Sequence, residues 1–145
     1  MPTANQMLDM SQDELDELFR ASPPGEVPRG EARGTVIVAP GTELAEIAAK
    51  VVHLIAWQGK VFDPDKGELL NEISPFHLNR IRAKVYKEAS WLDQKECIVL
   101  DYSKTSVVAH WIRDEIRLVD VDTYLGLVFW DDHRLLNFVL EFSGS

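Results

Sequence analysis

The stretch that decides the fold is residues 107–142, VVAHWIRDEIRLVDVDTYLGLVFWDDHRLLNFVLEF. Its first third alternates between apolar and polar residues with a period of two, which is typical of a β-strand that buries one face. Turn residues at 120–123 and a second turn at 132–133 divide the remainder into two more strands. The stretch therefore predicts three consecutive antiparallel strands joined by tight turns.

The lengths of the two turns predict which residues lie opposite one another. A four-residue turn at 120–123 places Asp114 opposite Phe129. A two-residue turn at 132–133 then places Phe129 opposite Leu136. Both alignments agree on one apolar face, on which Asp114 also lies. The predicted apolar members of this face are Ile112, Ile116, Leu118, Leu125, Leu127, Phe129, Leu136, Phe138, Leu140 and Phe142.

Asp114 is the strongest candidate for a functional residue. Burial disfavours the charged form of a carboxylate unless a cation or several N–H donors meet it. Groups in such surroundings are candidates for binding or for acid–base catalysis. The structural alternative is an aspartate satisfied by Arg80 or Arg82 from another strand, or by the loop at Lys60. The sequence leaves both interpretations open.

His110 is predicted to lie on the same face as Asp114. Four residues along a strand span about 13 Å, so the two side chains do not hydrogen-bond directly. They would line one cavity from opposite ends, or His110 would pair with a carboxylate such as Asp101. A satisfied core histidine is the structural alternative.

The opposite face of the same strand carries Trp111, Arg113, Glu115 and Arg117. In the predicted register Arg113 lies opposite Trp130, where a cation–π pair would form. This face is either a partner surface or the seat of a helix predicted from Thr42 to Trp57. We favour the helix, because its apolar stripe needs a surface to cover.

The rest of the chain predicts two N-terminal helices and further strands. Ser11 and Glu14 form a capping box at the start of the first helix, and Thr42 is the N-cap of the second. The predicted strands are 35–38, 60–62, 69–70, 80–86 and 97–102, followed by the three described above. The order predicts an α+β fold, in which two N-terminal helices pack on a curved antiparallel sheet or a small, partly closed, lipocalin-like β-barrel. Residues 1–9 are predicted to be a flexible N-terminus, and residues 10–143 a single barrel-like domain.

Composition excludes several classes of partner. With 24 acidic and 15 basic residues among 145, the formal charge of −9 repels nucleic acid and anionic membranes. No apolar run approaches the roughly 20 residues that span a bilayer, and residues 1–10 lack the features of a signal peptide. Cys97 is the only cysteine and is predicted to be a small buried hydrophobe. We therefore expect a cytoplasmic protein without a disulfide, and no metal or cofactor motif is present.

Short motifs resemble a known family. Four elements of the chain are similar to elements of the bacterial GXWXG family and its companion C-terminal domain of unknown function. They are the stretch Trp57-Gln58-Gly59-Lys60-Val61-Phe62, the late acidic residue Asp114, Val119-Asp120 and the turn Leu125-Gly126. In the namesake motif, Ala32 stands where the family has tryptophan. The resemblance implies a compact, barrel-like sheet and implies no particular reaction.

Three functions are compatible with these observations. The first is the binding of a small, largely apolar ligand between the sheet and the predicted helix from Thr42 to Trp57, with a few polar groups to orient it. The second is an enzyme that uses Asp114 or His110 as a general acid or base on a hydrophobic substrate. The third is a protein-interaction or homodimer surface that includes Trp111, Trp130 and Leu135. The predicted ligand-binding residues are Asp114, His110, Trp57, Lys60, Tyr102, Tyr124 and Phe129.

Overall fold

The computed structural model describes residues 3–37, 60–72, 80–101, 112–130 and 133–142. Two short helices precede eight strands. The helices are α1 Ala4–Leu8 and α2 Gln12–Ala21. The strands are β1 Gly30–Ile37, β2 Lys60–Asp63, β3 Glu68–Glu72, β4 Arg80–Ala89, β5 Glu96–Asp101, β6 Ile112–Asp120, β7 Thr123–Trp130 and β8 His133–Phe142.

The eight strands form a closed antiparallel barrel. Each strand pairs with the next one along the chain, and β8 returns to pair with β1 from Ala32↔Phe142 to Ile37↔Asn137. This up-and-down order is the one found in lipocalin-like barrels. The predicted antiparallel barrel is therefore confirmed, and β1 begins at Gly30 rather than at residue 35.

The inside of the barrel is an apolar core to which every strand contributes. Side chains alternate between the two faces of a strand, so one face of each strand points inward. The buried inner residues are Ala32, Phe62, Leu69, Ala83, Val85, Ile98, Leu100, Ile116, Tyr124, Val128, Leu136, Phe138 and Leu140.

A second apolar core lies between the barrel and the two helices. Met7, Leu15 and Phe19 are fully buried against the outer face of strands β5 to β8 and β1. The predicted capping box holds the start of α2, since the Glu14 N–H donates to Ser11 Oγ (3.1 Å) and the Ser11 N–H donates to Glu14 Oε1 (3.0 Å). The outer sheet residues of this core are Ile37, Cys97, Val99, Val119, Leu125, Leu127, Phe129 and Val139.

The segment expected to be loose, residues 1–9, contains α1. Thr3 and Gln6 form a second capping box there, which stabilises the start of this short helix. Met7 is buried because the two helices together cover the outer sheet. The predicted helix at 42–57 lies outside the described residues, so the two helices seen here are α1 and α2.

A strap, residues 22–29, joins α2 to β1 and closes one end of the barrel. The Leu118 N–H donates to Pro23 O (3.0 Å), and the Tyr124 hydroxyl donates to Glu26 O (2.7 Å). Val27 packs against the inner core. We call this end of the barrel the strap end.

The predicted register of β7 is wrong by one residue. Asp120 pairs with Thr123 across a two-residue turn, and a bulge at Val119 then makes Leu118 the partner of Tyr124. A shift of one residue moves every side chain of a strand to the other face. Leu125, Leu127 and Phe129 therefore lie outside the barrel rather than inside it.

Among the described residues, α2 and the turn between β4 and β5 lie over the outer face of β6. The helix predicted to cover this face, from Thr42 to Trp57, lies outside the described residues, so that part of the prediction stays a prediction. Arg113 is paired in register with Phe129, not with Trp130. Its guanidinium lies 4.3 Å from the centre of the Trp91 ring, so the predicted cation–π contact has a different aromatic partner.

Neither α1 nor α2 is long and apolar enough to cross a lipid bilayer, and the part of the chain described here has no other helix.

Candidate functional site

Asp114 lies inside the barrel, as the alternation of its strand predicts. In register it stands between Leu100 of β5 and Val128 of β7, and Ile116 is the next inward residue of β6. All three neighbours are apolar, and Asp114 itself is fully buried. The structure therefore places a carboxylate on the inner wall of an apolar barrel.

The inside of the barrel differs between its two ends. At the strap end three aromatic rings fill the interior: Phe62 and Phe142 have centroids 5.5 Å apart, and Tyr124 lies 5.6 Å from Phe142. Both pairs are edge-to-face, the geometry that aromatic quadrupoles favour. The wall around Asp114 is aliphatic instead, with Val85 next to Leu100 in register. The bulky rings thus close one end, while smaller side chains line the level of the carboxylate.

The side chains of four predicted site residues lie outside the described residues. Lys60 is the first residue of β2, and its side chain lies outside the described residues. Trp57, Tyr102 and His110 also lie outside them, in the connections 38–59 and 102–111.

The seam between β1 and β2 is short. Only residues 30–32 of β1 pair with β2, although β1 continues to Ile37 along β8. Over residues 33–37, no described strand pairs with β1 on its β2 side. Among the described strands, the β1–β2 seam is therefore shorter than the β1–β8 seam.

Two predicted ligand contacts have other roles in the structure. The Tyr124 hydroxyl is used by the strap, and burial raises the pKa of this tyrosine. Phe129 is buried on the outer face, where its ring lies edge-to-face to Trp91 at 5.1 Å. The prediction that Phe129 lines the interior is wrong because of the register shift in β7.

Arg117 forms a buried network that the sequence analysis did not identify. Its side chain is 1% exposed and binds both carboxylate oxygens of Asp93 at 2.7 Å. Its remaining donors reach the backbone oxygens of Phe19 (2.9 Å), Lys95 (3.0 Å) and Glu96 (3.1 Å). One guanidinium thus joins β6 to the end of α2 and to the turn between β4 and β5, with all five N–H groups used.

Glu115 forms a second buried network beside the first. It accepts hydrogen bonds from the Ser90 hydroxyl (2.5 Å) and the Trp91 N–H (2.8 Å). Arg113 pairs with it at 3.1 Å and also with the exposed Glu88 at 3.2 Å. The carboxylate is completely buried, so these donors replace the water that it loses.

An open cleft of about 550 Å³ lies next to this network. It runs between the turn that connects β4 to β5 and the outer face of β7. Its lining residues are Glu88, Ala89, Ser90, Trp91, Gln94 and Phe129.

The nucleophilic and metal-binding side chains of the described region give no further site. Cys97 is buried in the outer core, and burial raises the pKa of its thiol to about 12, which keeps it protonated. Residues 3–37, 60–72, 80–101, 112–130 and 133–142 contain no group of three His, Cys, Asp or Glu side chains that could hold a metal ion.

The strand order and closure define this chain as an eight-stranded, up-and-down, antiparallel β-barrel with a carboxylate on its inner wall. In structure it is similar to a protein from Thermomonospora curvata that is known from a crystal structure, with a TM-score of 0.63 and 20% sequence identity over 93% of this chain and 89% of that chain. At this identity the similarity shows the fold alone. No protein-family model matches the chain, and no curated protein sequence matches it. The resemblance to the GXWXG family stays a prediction.

Proposed function

We propose that the protein binds a small, largely apolar ligand inside the barrel, at the level of Asp114. The observation that carries this proposal is the completely buried carboxylate on the inner wall, among apolar residues. Small-molecule sites combine a mostly apolar lining with a few polar groups that orient the ligand. The interior of an eight-stranded barrel is of the size that side chains fill or that one small ligand occupies.

The difference between the two ends of the barrel interior supports a ligand position away from the strap. The aromatic rings of Phe62, Tyr124 and Phe142 occupy the strap end. The ligand would therefore lie toward the opposite end. In this proposal Asp114 accepts a hydrogen bond from the ligand's polar group, while Leu100 and Val128 contact its apolar body.

Native mass spectrometry of the purified protein tests the proposal. We expect a mass above that of the denatured chain, and we expect organic extraction to release the added molecule. Asp114→Asn keeps the shape of the side chain and replaces its carboxyl group with an amide. We expect it to weaken binding of the extracted molecule by about 10- to 100-fold, the usual range when a buried hydrogen bond loses one partner.

Tyr124→Phe is the matched control, because it removes one polar atom of the inner core at the strap end. It should leave the affinity for the extracted molecule unchanged. Equal affinity in wild type and Asp114→Asn would remove the proposed role of the carboxylate. A native mass equal to the denatured mass, together with a barrel that takes up no apolar fluorescent probe, would contradict ligand binding itself. Chemical conversion of the molecule by wild type and not by Asp114→Asn would support the enzymatic alternative.

A further inference from the structure

Trp91 is half exposed although its position is fixed on three sides. Its backbone N–H donates to the buried Glu115, and Phe129 packs against its ring from the edge. Arg113 covers the ring at 4.3 Å and is itself held by Glu115, Glu88 and the backbone of Ala89. The side chain nevertheless keeps 49% of its surface exposed in the cleft. A large aromatic side chain that is both ordered and exposed is typical of a binding anchor, since little entropy is lost when a partner covers it.

The charges around Trp91 favour a cationic partner. Arg113 supplies one positive charge, whereas Glu115 and Glu88 supply two negative charges. Glu115 is buried, so the surplus negative charge is accessible at Glu88, which is 54% exposed. Within the described parts of the chain, Glu88 uses only its Oε2 atom, for Arg113. Its Oε1 atom is available to a second cation beside the tryptophan.

The protein itself shows twice how it binds a guanidinium. Arg117 lies 4.4 Å above the Phe19 ring and pairs with Asp93. Arg134 lies 5.7 Å from the Phe129 ring and pairs with Asp16. In both cases an aromatic face and a carboxylate hold the cation together. In the cleft, Trp91 and Glu88 hold Arg113 in the same way, and each of the two keeps about half of its side chain exposed to a further cation.

We propose that this cleft binds an arginine or lysine side chain on a basic segment of a partner protein. The cation would pair with Glu88, and its aliphatic stem would lie on the exposed part of Trp91. The cleft is open rather than enclosed, which suits a side chain presented by another surface better than a small molecule that must be surrounded. The formal charge of −9 would also speed the approach of a basic partner.

A tripeptide titration tests this site without knowledge of the partner. The probe is acetyl-Gly-Arg-Gly-amide, and its neutral counterpart carries citrulline in place of arginine. We follow the nitrogen-15-labelled protein by NMR and assign the Trp91 indole signal with Trp91→Phe. The arginine peptide should shift the Trp91 signals with a dissociation constant on the order of millimolar, as expected for a single side chain, and the citrulline peptide should bind at least threefold more weakly.

Two variants with the same charge change complete the test. Glu88→Gln should weaken binding of the arginine peptide by roughly threefold, in line with an exposed ion pair. Glu96→Gln is the control, because Glu96 is also exposed and lies near the cleft but does not line it. Equal affinities for the two peptides, the same loss in both variants, or shifts confined to signals away from Trp91 would each overturn the proposal.

Discussion

Replacing Arg117 with methionine should lower the free energy of unfolding by about 3–5 kcal/mol, the range found when one partner of a buried ion pair is removed. Methionine fills much of the same volume without any hydrogen-bond donor. The change leaves the Asp93 carboxylate without its principal partner. It also removes donors from the backbone oxygens of Phe19, Lys95 and Glu96. Urea unfolding monitored by circular dichroism measures the effect.

Two controls separate the ion pair from simple loss of packing. Arg117→Lys keeps the charge but lacks the planar, two-pronged geometry, so we expect it to recover only part of the stability. In a double-mutant cycle that combines Arg117→Met with Asp93→Asn, the losses of unfolding free energy in the two single variants should be strongly non-additive. Additive losses would contradict the assignment of the energy to the Arg117–Asp93 pair.

The same pair should give a defined pH dependence. The hydrogen bonds from Arg117 lower the pKa of Asp93 from its ordinary value of 3.8. A lowered pKa in the folded state means that the pair stabilises the protein above about pH 4, and that this contribution is lost as the pH falls through the lowered pKa. The difference in stability between wild type and Asp93→Asn should therefore be largest above pH 4 and decrease below it.

Gly126→Ala should lower the free energy of unfolding by about 2–3 kcal/mol, the upper range for overpacking a core. Gly126 points into the barrel, directly across from Phe138 of β8. A methyl group at this position would overlap the Phe138 ring, since three ring atoms lie within its contact distance. Chemical denaturation of the variant measures the loss. Gly126 is therefore needed for space, because a side chain at this position would occupy the place of the Phe138 ring.

Phe138→Leu provides the matched test of this explanation. It removes the ring that the new methyl group would meet, at the cost of some packing of its own. In the double variant, the alanine should lower the free energy of unfolding much less than it does in the presence of Phe138. If Gly126→Ala is equally destabilising with leucine at residue 138, the overlap with the ring is not its cause.

The three C-terminal strands show how far sequence reasoning extends. The strands themselves, the inward face of β6 and the inward face of β8 were all predicted. The orientation of β7 was wrong, because a bulge in each of the two ladders, at Val119 and at Leu135, leaves its pairing with β6 and with β8 one residue away from the prediction. The two errors cancel at β8, which explains why Phe138 and Leu140 were placed correctly. Both faces of β7 are apolar, since helices cover the outside, so alternation could not reveal the error.

The candidate sites differ in how visible they are in the sequence. Asp114 was predicted from a single strand, since a charged residue at an inward position interrupts a regular pattern. The network around Arg117 was not found, because its partner Phe19 is 98 residues away in the chain. The anchoring of Trp91 likewise depends on Glu115, 24 residues later. The sequence did contain one indication of these buried networks. Strand β6 carries charged residues at outward positions, although the strands next to β6 are apolar on both faces.

The sequential order of the strands has a consequence for folding kinetics. The β7–β8 pairs join residues 3–18 positions apart, and Gly126↔Phe138 are 12 apart, whereas Ala32↔Phe142 are 110 apart. Chain entropy makes the longer closure about 2 kcal/mol more costly. The C-terminal hairpins should therefore form first and the β1–β8 ladder last, as pulse-labelling hydrogen exchange would reveal. In that order of events, the sheet would stay open with two unpaired edges until the first and last strands meet.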